Sequence, residues 1–191
     1  QGCAAVGAQA VTMGRVAAQG QSLADVTLRG ESSNMAWIST LDIEDGRFFY
    51  EGEERVAAPV AVIGDEVAEK LFPDRSPLGK AIRIAGEEFT VVGKAERIGS
   101  ILGQDQDTFI IIPITAFEKI FGLRHSLILQ IKTAASTEGR EAIGPVQDEV
   151  RLLLRARRHL APEAREDFYF TTADTYLALW KDISSVFFLV F

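Results

Sequence analysis

Short apolar runs, each closed by a glycine or a proline, limit this chain to small secondary-structure elements. Val60–Ile63 is a β-branched run that Gly64 ends, and Phe109–Ile112 is a second run that Pro113 ends. Apolar runs of this length between such breakers are typical of buried strands. The sequence therefore predicts short buried strands at both places.

Helical and hairpin patterns fill the chain between and after these two runs. Residues 67–72 place their apolar side chains on one helical face, with Asp65 as the N-cap and Pro73 as the stop. Residues 82–92 alternate around a central turn, which indicates a β-hairpin. Thr115 begins a capping box that predicts a helix over 116–121.

The two ends of the chain add further elements of similar size. A strand is predicted over 22–32, a short helix or turn over 34–41, and a solvated acidic loop over 42–54. The last third has a β-α-β pattern. Its elements are a strand over 126–133, a helix with Pro145 near its first turn and arginines toward its end, a strand over Phe168–Phe170, and a final helix capped by Thr172 or Asp174. This mixture predicts an α+β fold of two small layered subdomains.

Charge and cysteine content exclude several classes of function. The 191 residues hold 20 Lys plus Arg against 27 Asp plus Glu, a net charge of −7. An acidic surface repels phosphate backbones, so no nucleic-acid partner is expected. The single cysteine, Cys3, excludes an internal disulfide, a CxxC redox pair and a cysteine-rich zinc site.

Motifs for metal or nucleotide chemistry are missing from the sequence. The two histidines, His125 and His159, are read as surface residues, and no HExxH, GxGxxG or GxSxG is present. Gly79-Lys80 lacks the upstream glycine and the Ser/Thr of a phosphate-binding loop. We therefore expect no cofactor and no metal.

One acidic pair leaves a catalytic alternative open. Asp105 and Asp107 are two residues apart in Gly103–Asp107, a spacing that occurs in cation loops and in paired catalytic carboxylates. The residues that follow are Thr108 and apolar side chains, which do not complete a calcium loop. We expect a surface loop in which these carboxylates bind backbone groups, with a hydrolase or transferase site as the alternative.

The end of the chain predicts a membrane segment. Ile183–Phe191 is almost wholly apolar but too short to cross a bilayer, so residues 179–191 are interpreted as the start of a truncated transmembrane helix. Trp180 and Lys181 would then lie at the membrane interface. The alternative is a terminal segment that completes the core of the domain.

An ordered set of short motifs between residues 40 and 175 resembles the periplasmic core domain of MacB-type ABC transporter permeases. The residues that support the resemblance are Gly46, Arg47, Phe48, Gly64, Leu71, Phe72, Pro77, Gly79, Lys80, Val92, Gly93, Gly103, Gln104, Asp105, Gln106, Asp107 and Pro113. Their order and spacing are more specific than any one of them. They are interpreted as structural residues.

The resemblance implies a division into two subdomains. A Porter-like β-α-β unit would comprise 1–33 and 123–178, with the inserted Sabre-like α/β subdomain over 34–122. Residues 1–20 would hold only the tail of the first Porter half. On this basis, residues 60–121 are expected to form a separate layer, and the β-α-β unit near 126–171 is expected to pack with the N-terminal strand around Val26–Leu28.

The function implied by the resemblance is non-enzymatic. The domain would lie on the periplasmic side of the bacterial inner membrane and relay ATP-driven movement to an envelope partner or exported substrate. The ATPase would be a separate nucleotide-binding domain. Expected partners are a second permease copy, an ABC ATPase and a periplasmic adaptor or envelope protein. An envelope ligand-binding module remains the alternative.

Overall fold

The computed structural model describes residues 3–73, 75–101, 103–133, 143–161 and 163–172. Contacts divide the chain into two units, the first spanning Cys3–Lys132 and the second starting at Thr133. The strands are β1 Cys3–Ala18, β2 Gln21–Glu31, β3 Ile43–Gly46, β4 Val60–Ile63, β5 Ala81–Ile84, β6 Glu87–Ala95, β7 Ser100–Ile101, β8 Gln104–Asp105, β9 Phe109–Pro113 and β10 Leu127–Thr133. The helices are α1 Met35–Ile38, α2 Glu51–Arg55, α3 Asp65–Leu71, α4 Ile114–Phe121 and α5 Ile143–Arg157. The mixture of strands and helices confirms the predicted α+β class.

Six strands of the first unit form a closed ring of pairings. The order is β1, β2, β9, β4, β6 and β5, and β5 pairs back onto β1. The β2–β9 and β4–β6 pairs are parallel, and the other pairs in the ring are antiparallel. β10 joins the sheet beside β1, and β3 joins it beside β6. Because the ring closes, each of these six strands has a paired neighbour on both sides along part of its length. Little of the sheet is therefore left as an exposed edge.

The two faces of the sheet pack separate apolar clusters. Successive side chains of a strand point to opposite faces, and along β9 this sends Ile110 and Ile112 to one cluster and Phe109 and Ile111 to the other. We call these the inner face and the outer face. The inner cluster is the larger of the two and includes Val16, Val26, Leu28, Ile63, Leu71, Ile82, Ile84, Phe89 and Phe117. The outer cluster adds Phe49, Val62 and Ala95, with Leu41, Ile43 and Phe48 packed against them.

The long first strand occupies most of residues 1–20. β1 pairs with β2 from Gln9 opposite Glu31 to Ala18 opposite Gln21, so this segment is a full strand of the sheet. Gln19 and Gly20 have φ values of 50° and 83°, which suit a two-residue hairpin turn. β1 is rich in alanine and glycine, which have weak strand propensity. Its stability as a strand comes from pairing and packing instead.

Three local expectations were wrong. The segment 42–54 contains β3 and α2 and is not a solvated loop throughout. α3 is capped by Gly64, and Asp65 is its first helical residue, where the side chain pairs with Lys94. α4 begins after Pro113 without a side-chain cap, because the Thr115 hydroxyl donates to the carbonyl oxygen of Glu54.

The expectation of a separate layer over 60–121 was also wrong. β9 pairs with β2, and β5 pairs with β1, so strands from this segment share one sheet with the N-terminal hairpin. The described contacts divide the chain near residue 133. The assignment of Porter-like and Sabre-like segments remains a prediction.

In the second unit, two arginines of α5 and Arg158, which directly follows the helix, hold the segment after it. Arg151 and Arg155 both contact the Glu166 carboxylate, at 3.2 and 3.5 Å, and Arg158 pairs with Asp167 at 2.7 Å. Residues 168–170 are not a strand, which corrects the expectation for Phe168–Phe170. The rings of Phe168 and Phe170 instead lie beneath the guanidinium groups of Arg158 and Arg151. The predicted final helix and the apolar run Ile183–Phe191 lie outside the described residues.

Candidate functional site

The loop between β6 and β9 is organised by one buried carboxylate. Asp107 is 2% exposed, and its two oxygens accept hydrogen bonds from the backbone N–H groups of Ile98, at 2.8 Å, and Gly99, at 2.7 Å. Gly99 has φ +86°, which a glycine adopts without strain. Hydrogen bonds to an ionised acceptor are stronger than neutral ones. Asp107 therefore fixes the path of the chain from Ile98 to Thr108.

Asp105 has a different environment from Asp107. It is exposed and accepts hydrogen bonds from the Thr108 hydroxyl and, at 3.0 Å, from the Asp107 N–H. These bonds, the Thr108 hydroxyl foremost and the more distant Lys70 ammonium in addition, lower the pKa of the Asp105 carboxyl. The two carboxylates thus bind the loop to itself. The expectation that both lie near the surface was wrong for Asp107, because its carboxylate turns inward to the backbone N–H groups of Ile98 and Gly99.

The rest of the loop is a small hairpin. Gln104 in β8 lies opposite Ile101 in β7, and the turn includes Gly103 with φ +79°. The N–H of Gln106 donates to the carbonyl oxygen of Gly99 at 3.1 Å. The motif Gly103–Asp107 therefore folds as one compact loop above the end of β9.

Gly64 allows this loop to approach the main sheet. A Cβ at this position would overlap the carbonyl oxygen of Asp107. The N–H of Gly64 donates to the carbonyl oxygen of Phe109 at 2.9 Å. A glycine is required here because two backbones meet with no space for a side chain.

A second close backbone contact involves the motifs around Gly46 and Gly93. The N–H of Arg47 donates to the Val92 carbonyl oxygen at 3.0 Å. A Cβ at Gly46 would overlap that same oxygen, and a Cβ at Gly93 would overlap the carbonyl oxygen of Arg47. The Gly46–Phe49 and Val92–Gly93 motifs, distant in sequence, are therefore one backbone contact between β3 and β6.

Arg47 extends this contact to α2. Its guanidinium forms two hydrogen bonds with the Glu53 carboxylate, at 2.7 and 2.8 Å, and lies over the Tyr50 ring. The bonds from Arg47 are the main cause that lowers the pKa of Glu53. Phe48 stacks on Phe49, whose buried ring belongs to the outer cluster. These contacts indicate a structural role for Arg47 and Phe48.

The remaining motif residues support the core or its turns. Leu71 and Phe72 are buried in the inner cluster, and Pro113 is the N-cap residue of α4. Pro77 is buried, and Gly79 and Lys80 are exposed. The N–H of Gly79 donates to the Val91 carbonyl oxygen at 2.8 Å, and the Lys80 carbonyl oxygen accepts from the Val91 N–H at 2.9 Å. Lys80 thus contributes its backbone to the sheet and presents its side chain to solvent.

Sequence reasoning missed several ionisable groups that pack against this region. Asp65, which is nearly buried, pairs with Lys94 at 2.6 Å, and Lys94 also contacts Glu44 at 2.9 Å. The Asp65 carboxylate, followed by that of Glu44, raises the pKa of Lys94. Glu31 is 3% exposed and accepts a hydrogen bond from the Gln9 amide at 2.7 Å. Strand alternation could have placed Lys94 and Glu31 on one face of the sheet, but their partners are distant in sequence.

The two histidines have different settings. His125 is half-buried, with its Nε2 3.0 Å from the Phe121 carbonyl oxygen and its ring edge-on to Phe117, so it is not a simple surface residue. His159 is exposed, with φ +52°, just after α5. Among the described residues, no three His, Cys, Asp or Glu side chains converge on a possible metal position. In the same part of the chain, no helix is both long enough and apolar enough to span a bilayer.

Comparison with known proteins gives consistent matches. The family model of the MacB-like periplasmic core domain matches residues 3–151. The macrolide export ATP-binding/permease protein MacB of Bdellovibrio bacteriovorus is 35% identical over 139 residues, which is 70% of this chain and 20% of that protein. The pyoverdine export ATP-binding/permease protein PvdT of Pseudomonas syringae pv. syringae is 30% identical over 145 residues, 74% of this chain and 21% of that protein. The chain therefore spans about a fifth of the length of these relatives.

Solved structures agree on the fold. The periplasmic region of MacB from Actinobacillus actinomycetemcomitans superimposes with a TM-score of 0.77 at 17% identity, over 95% of this chain and 77% of that one. The extracellular domain of the ABC-type transporter YknZ from Gram-positive bacteria gives a TM-score of 0.61 at 25% identity, over 79% of this chain and 78% of that one. Because the family match extends through the closed sheet, the Asp107 loop and the first half of α5, the chain belongs to the MacB-like periplasmic core domain family.

Proposed function

We propose that this permease domain relays movement: ATP-driven rearrangement of a membrane-embedded transporter moves it as a body, and it acts in turn on an envelope partner or exported substrate. The relatives named above are export ATP-binding/permease proteins, and the chain matches only about a fifth of their length. ATP hydrolysis would therefore belong to a nucleotide-binding domain outside the matched region. The domain would work on the periplasmic side of the bacterial inner membrane.

The observation that most favours a relay is the closed ring of strand pairings in the first unit. A body that transmits movement must change position without changing its internal shape. Six strands paired in a circuit, with an apolar cluster on each face, resist internal shear because any slip breaks pairings all around the ring. The backbone contacts at Gly64 and Gly93 attach the Asp107 loop and β3 to the same body.

The polar groups of the motif region support a mechanical role over a catalytic one. Both oxygens of Asp107 are occupied by backbone N–H groups, and Asp105 binds its own loop. A general base or nucleophile needs a carboxylate that can reach a substrate. Both carboxylates are engaged in hydrogen bonds that hold the backbone of their own loop, so a hydrolase or transferase is not proposed.

The proposed partners are a second permease copy, an ABC ATPase and a periplasmic adaptor or another envelope protein. Membrane attachment would be through helices that flank the domain. The net charge of −7 opposes contact with nucleic acid.

The test is a distance measurement by electron paramagnetic resonance in the complete transporter, reconstituted in lipid nanodiscs. Spin labels at Val56 and Leu123, both exposed and both in the first unit, form one pair within a single copy. A label at Leu123 alone reports the distance between two copies. Cys3 and every native cysteine in the rest of the transporter are replaced by serine in every variant, so that only the introduced cysteines react.

We expect addition of ATP with vanadate to shift the distance between copies while the distance within one copy stays unchanged. A catalytically inactive ATPase variant is the matched control and should abolish the shift. An unchanged distance between copies, or a changed distance inside the first unit, would contradict a rigid relay.

A further inference from the structure

A polar crevice of about 310 Å³ opens on the outer face of the sheet beside β2. Arg29 lines it and points to this face, since Leu28 and Gly30 on either side of it face the inner cluster. The walls are the segment after α1 and the segment after β6. The lining residues are Arg29, Ser39, Thr40, Leu41, Asp42, Glu96, Arg97 and Ile98. The volume is at the lower end of the range for small-ligand clefts, which begins at roughly 300 Å³.

The Arg29 guanidinium is fixed in this crevice by an aromatic ring. Its Cζ lies 4.5 Å from the ring centroid of Phe109, a side chain that is 1% exposed. Burial lowers the pKa of Arg29, and the negative charge of Glu31 acts in the opposite direction. The arginine stays charged throughout the physiological pH range. Stacking covers one face of the guanidinium and leaves the N–H groups at its edge available in one plane.

No protein group uses those N–H groups in the part of the chain that the structure describes. No hydrogen-bond acceptor and no carboxylate within 4 Å is found there for the Arg29 guanidinium. A partly buried charge with open donors is costly unless a ligand or solvent satisfies it. The arrangement is therefore suited to an anion that presents two oxygens.

Arg97 supplies a second cation to the same crevice. Its Nε is 3.8 Å from Asp65, a long contact, and Asp65 is already paired at 2.6 Å with Lys94. The Arg97 side chain is 67% exposed, so it can turn toward a ligand at low cost. The hydroxyls of Ser39 and Thr40 add neutral donors at the wall.

The acidic side chains at the crevice restrict which anion fits. Asp42 and Glu96 line it, and the Glu96 N–H donates to the Asp42 carbonyl oxygen at 2.9 Å, which joins the two walls, while Glu31 also acts on the charge of Arg29. The two carboxylates of Asp42 and Glu96 balance the formal charge of the two arginines in the lining. A singly charged group is then favoured over a phosphate dianion, because repulsion from two carboxylates rises with ligand charge.

We propose that this crevice binds a carboxylate group, held in the plane of the Arg29 guanidinium with Arg97 as the second donor. Planar, two-point recognition of carboxylates is the geometry for which arginine is best suited. The group could belong to a small molecule or to an acidic side chain of a protein, and both present the same two oxygens. This inference is independent of the proposed relay of movement.

The test is a nuclear magnetic resonance titration of the isotope-labelled 191-residue chain, with the Arg29 and Arg97 Nε–Hε signals as reporters. The probes are acetate, the peptide Gly-Glu-Gly with blocked ends, and inorganic phosphate, all at constant ionic strength. We expect saturable shifts of the Arg29 signal with acetate or with the peptide. Saturation by the peptide alone supports a protein source for the carboxylate, and saturation by acetate supports a free one.

Two variants test the assignment of the donors. Arg29→Met keeps the apolar contact with Phe109 and removes the charge, so we expect at least a tenfold loss of affinity, followed at the Arg97 signal. Arg97→Met is the second variant and should weaken binding by a smaller factor. Arg83→Met, at an exposed arginine of β5, is the matched control and should bind normally.

Three results would overturn the proposal. They are shifts that increase linearly without saturation, equal loss of affinity in the Arg83 control, and tighter binding of phosphate than of both carboxylate probes. The dispersion of the backbone amide signals reports whether each variant is folded.

Discussion

Replacement of Asp107 by asparagine tests whether one buried carboxylate organises the loop between β6 and β9. The wild-type side chain accepts two backbone hydrogen bonds, at 2.8 and 2.7 Å, and is 2% exposed. Asparagine has nearly the same shape but has one acceptor oxygen. Its amide nitrogen would face a backbone N–H, which leaves two donors opposed in a buried site.

The expected cost follows from the two bonds. A hydrogen bond to a charged group contributes about 1.5–3 kcal/mol, and a neutral one about 0.5–1.5 kcal/mol. Asp107→Asn loses one charged bond and weakens the other to a neutral bond, so we expect a loss of about 3 kcal/mol in the free energy that keeps the loop closed. Since each 1.4 kcal/mol is a factor of ten, the opening equilibrium should rise by roughly a hundredfold.

Amide hydrogen exchange measures this change directly. The N–H groups of Ile98 and Gly99 are the two donors, so their exchange should accelerate by about two orders of magnitude if opening is local. Urea unfolding of the same variant shows whether the loss also reaches the global transition. Asp105→Asn is the matched control, because that side chain is exposed: its amide oxygen can still accept from the Asp107 N–H, and its amide nitrogen can donate to the Thr108 hydroxyl oxygen. We expect a change below about 1 kcal/mol.

The result that would refute this reasoning is specific. If Ile98 and Gly99 exchange at the wild-type rate in Asp107→Asn, the carboxylate does not hold the loop. Equal acceleration in the Asp105→Asn control would show that the charge of the loop matters and the buried geometry does not.

Three further changes test other parts of the first and second units. Burial raises the pKa of Glu31, so ionisation of this side chain opposes folding, and the free energy of unfolding of the wild type should fall as the pH rises above the usual pKa of 4.5. In urea unfolding between pH 4 and 8, Glu31→Gln should lack this decline. A pH profile equal to that of the wild type would contradict the prediction. Gly93→Ala should lose about 2–4 kcal/mol by thermal or urea unfolding, because its Cβ would overlap the Arg47 carbonyl oxygen, whereas Gly52→Ala, with open space around it, should keep wild-type stability. Glu166→Gln removes the carboxylate that Arg151 and Arg155 share, so hydrogen exchange should increase in the segment after α5, and wild-type protein in high salt should show the same effect.

Local pattern was sufficient to predict much of the first unit. Short apolar runs that end at a glycine or a proline predicted β4 and β9, and alternation around a central turn predicted the β5–β6 hairpin. α3 was predicted because its apolar spacing matches a helical face, and α4 was predicted from a capping box at Thr115 that the structure does not form. The family was also identified from the sequence, since the order of its glycine and aromatic motifs is preserved in the chain.

β1 was missed because its own residues have weak strand propensity and the strand is stabilised by its pairing and packing partners. Alanine and glycine along Cys3–Ala18 allow α1 and neighbouring side chains to approach closely: a Cβ at Gly7 would lie 2.5 Å from the Met35 sulfur. Such positions are explained only by the packing partner. The same applies to Phe168–Phe170, whose three aromatic residues suggested a strand; Phe168 and Phe170 instead pack against Arg158 and Arg151.

The sequence by itself determined the class of the fold, the position of its short apolar strands and the family, because each depends on neighbours within a few residues or on motif order. Tertiary structure alone decided the closure of the sheet, the burial of Asp107 and the open donors of Arg29. Closure requires β5 to meet β1 across more than sixty residues of chain, and Asp107 is buried only because Gly64 lets two backbones touch. Arg29 became a candidate site because Phe109, eighty residues later in the chain, lies under its guanidinium. Pairings over such distances depend on the packing of the whole unit and leave no local pattern in the sequence.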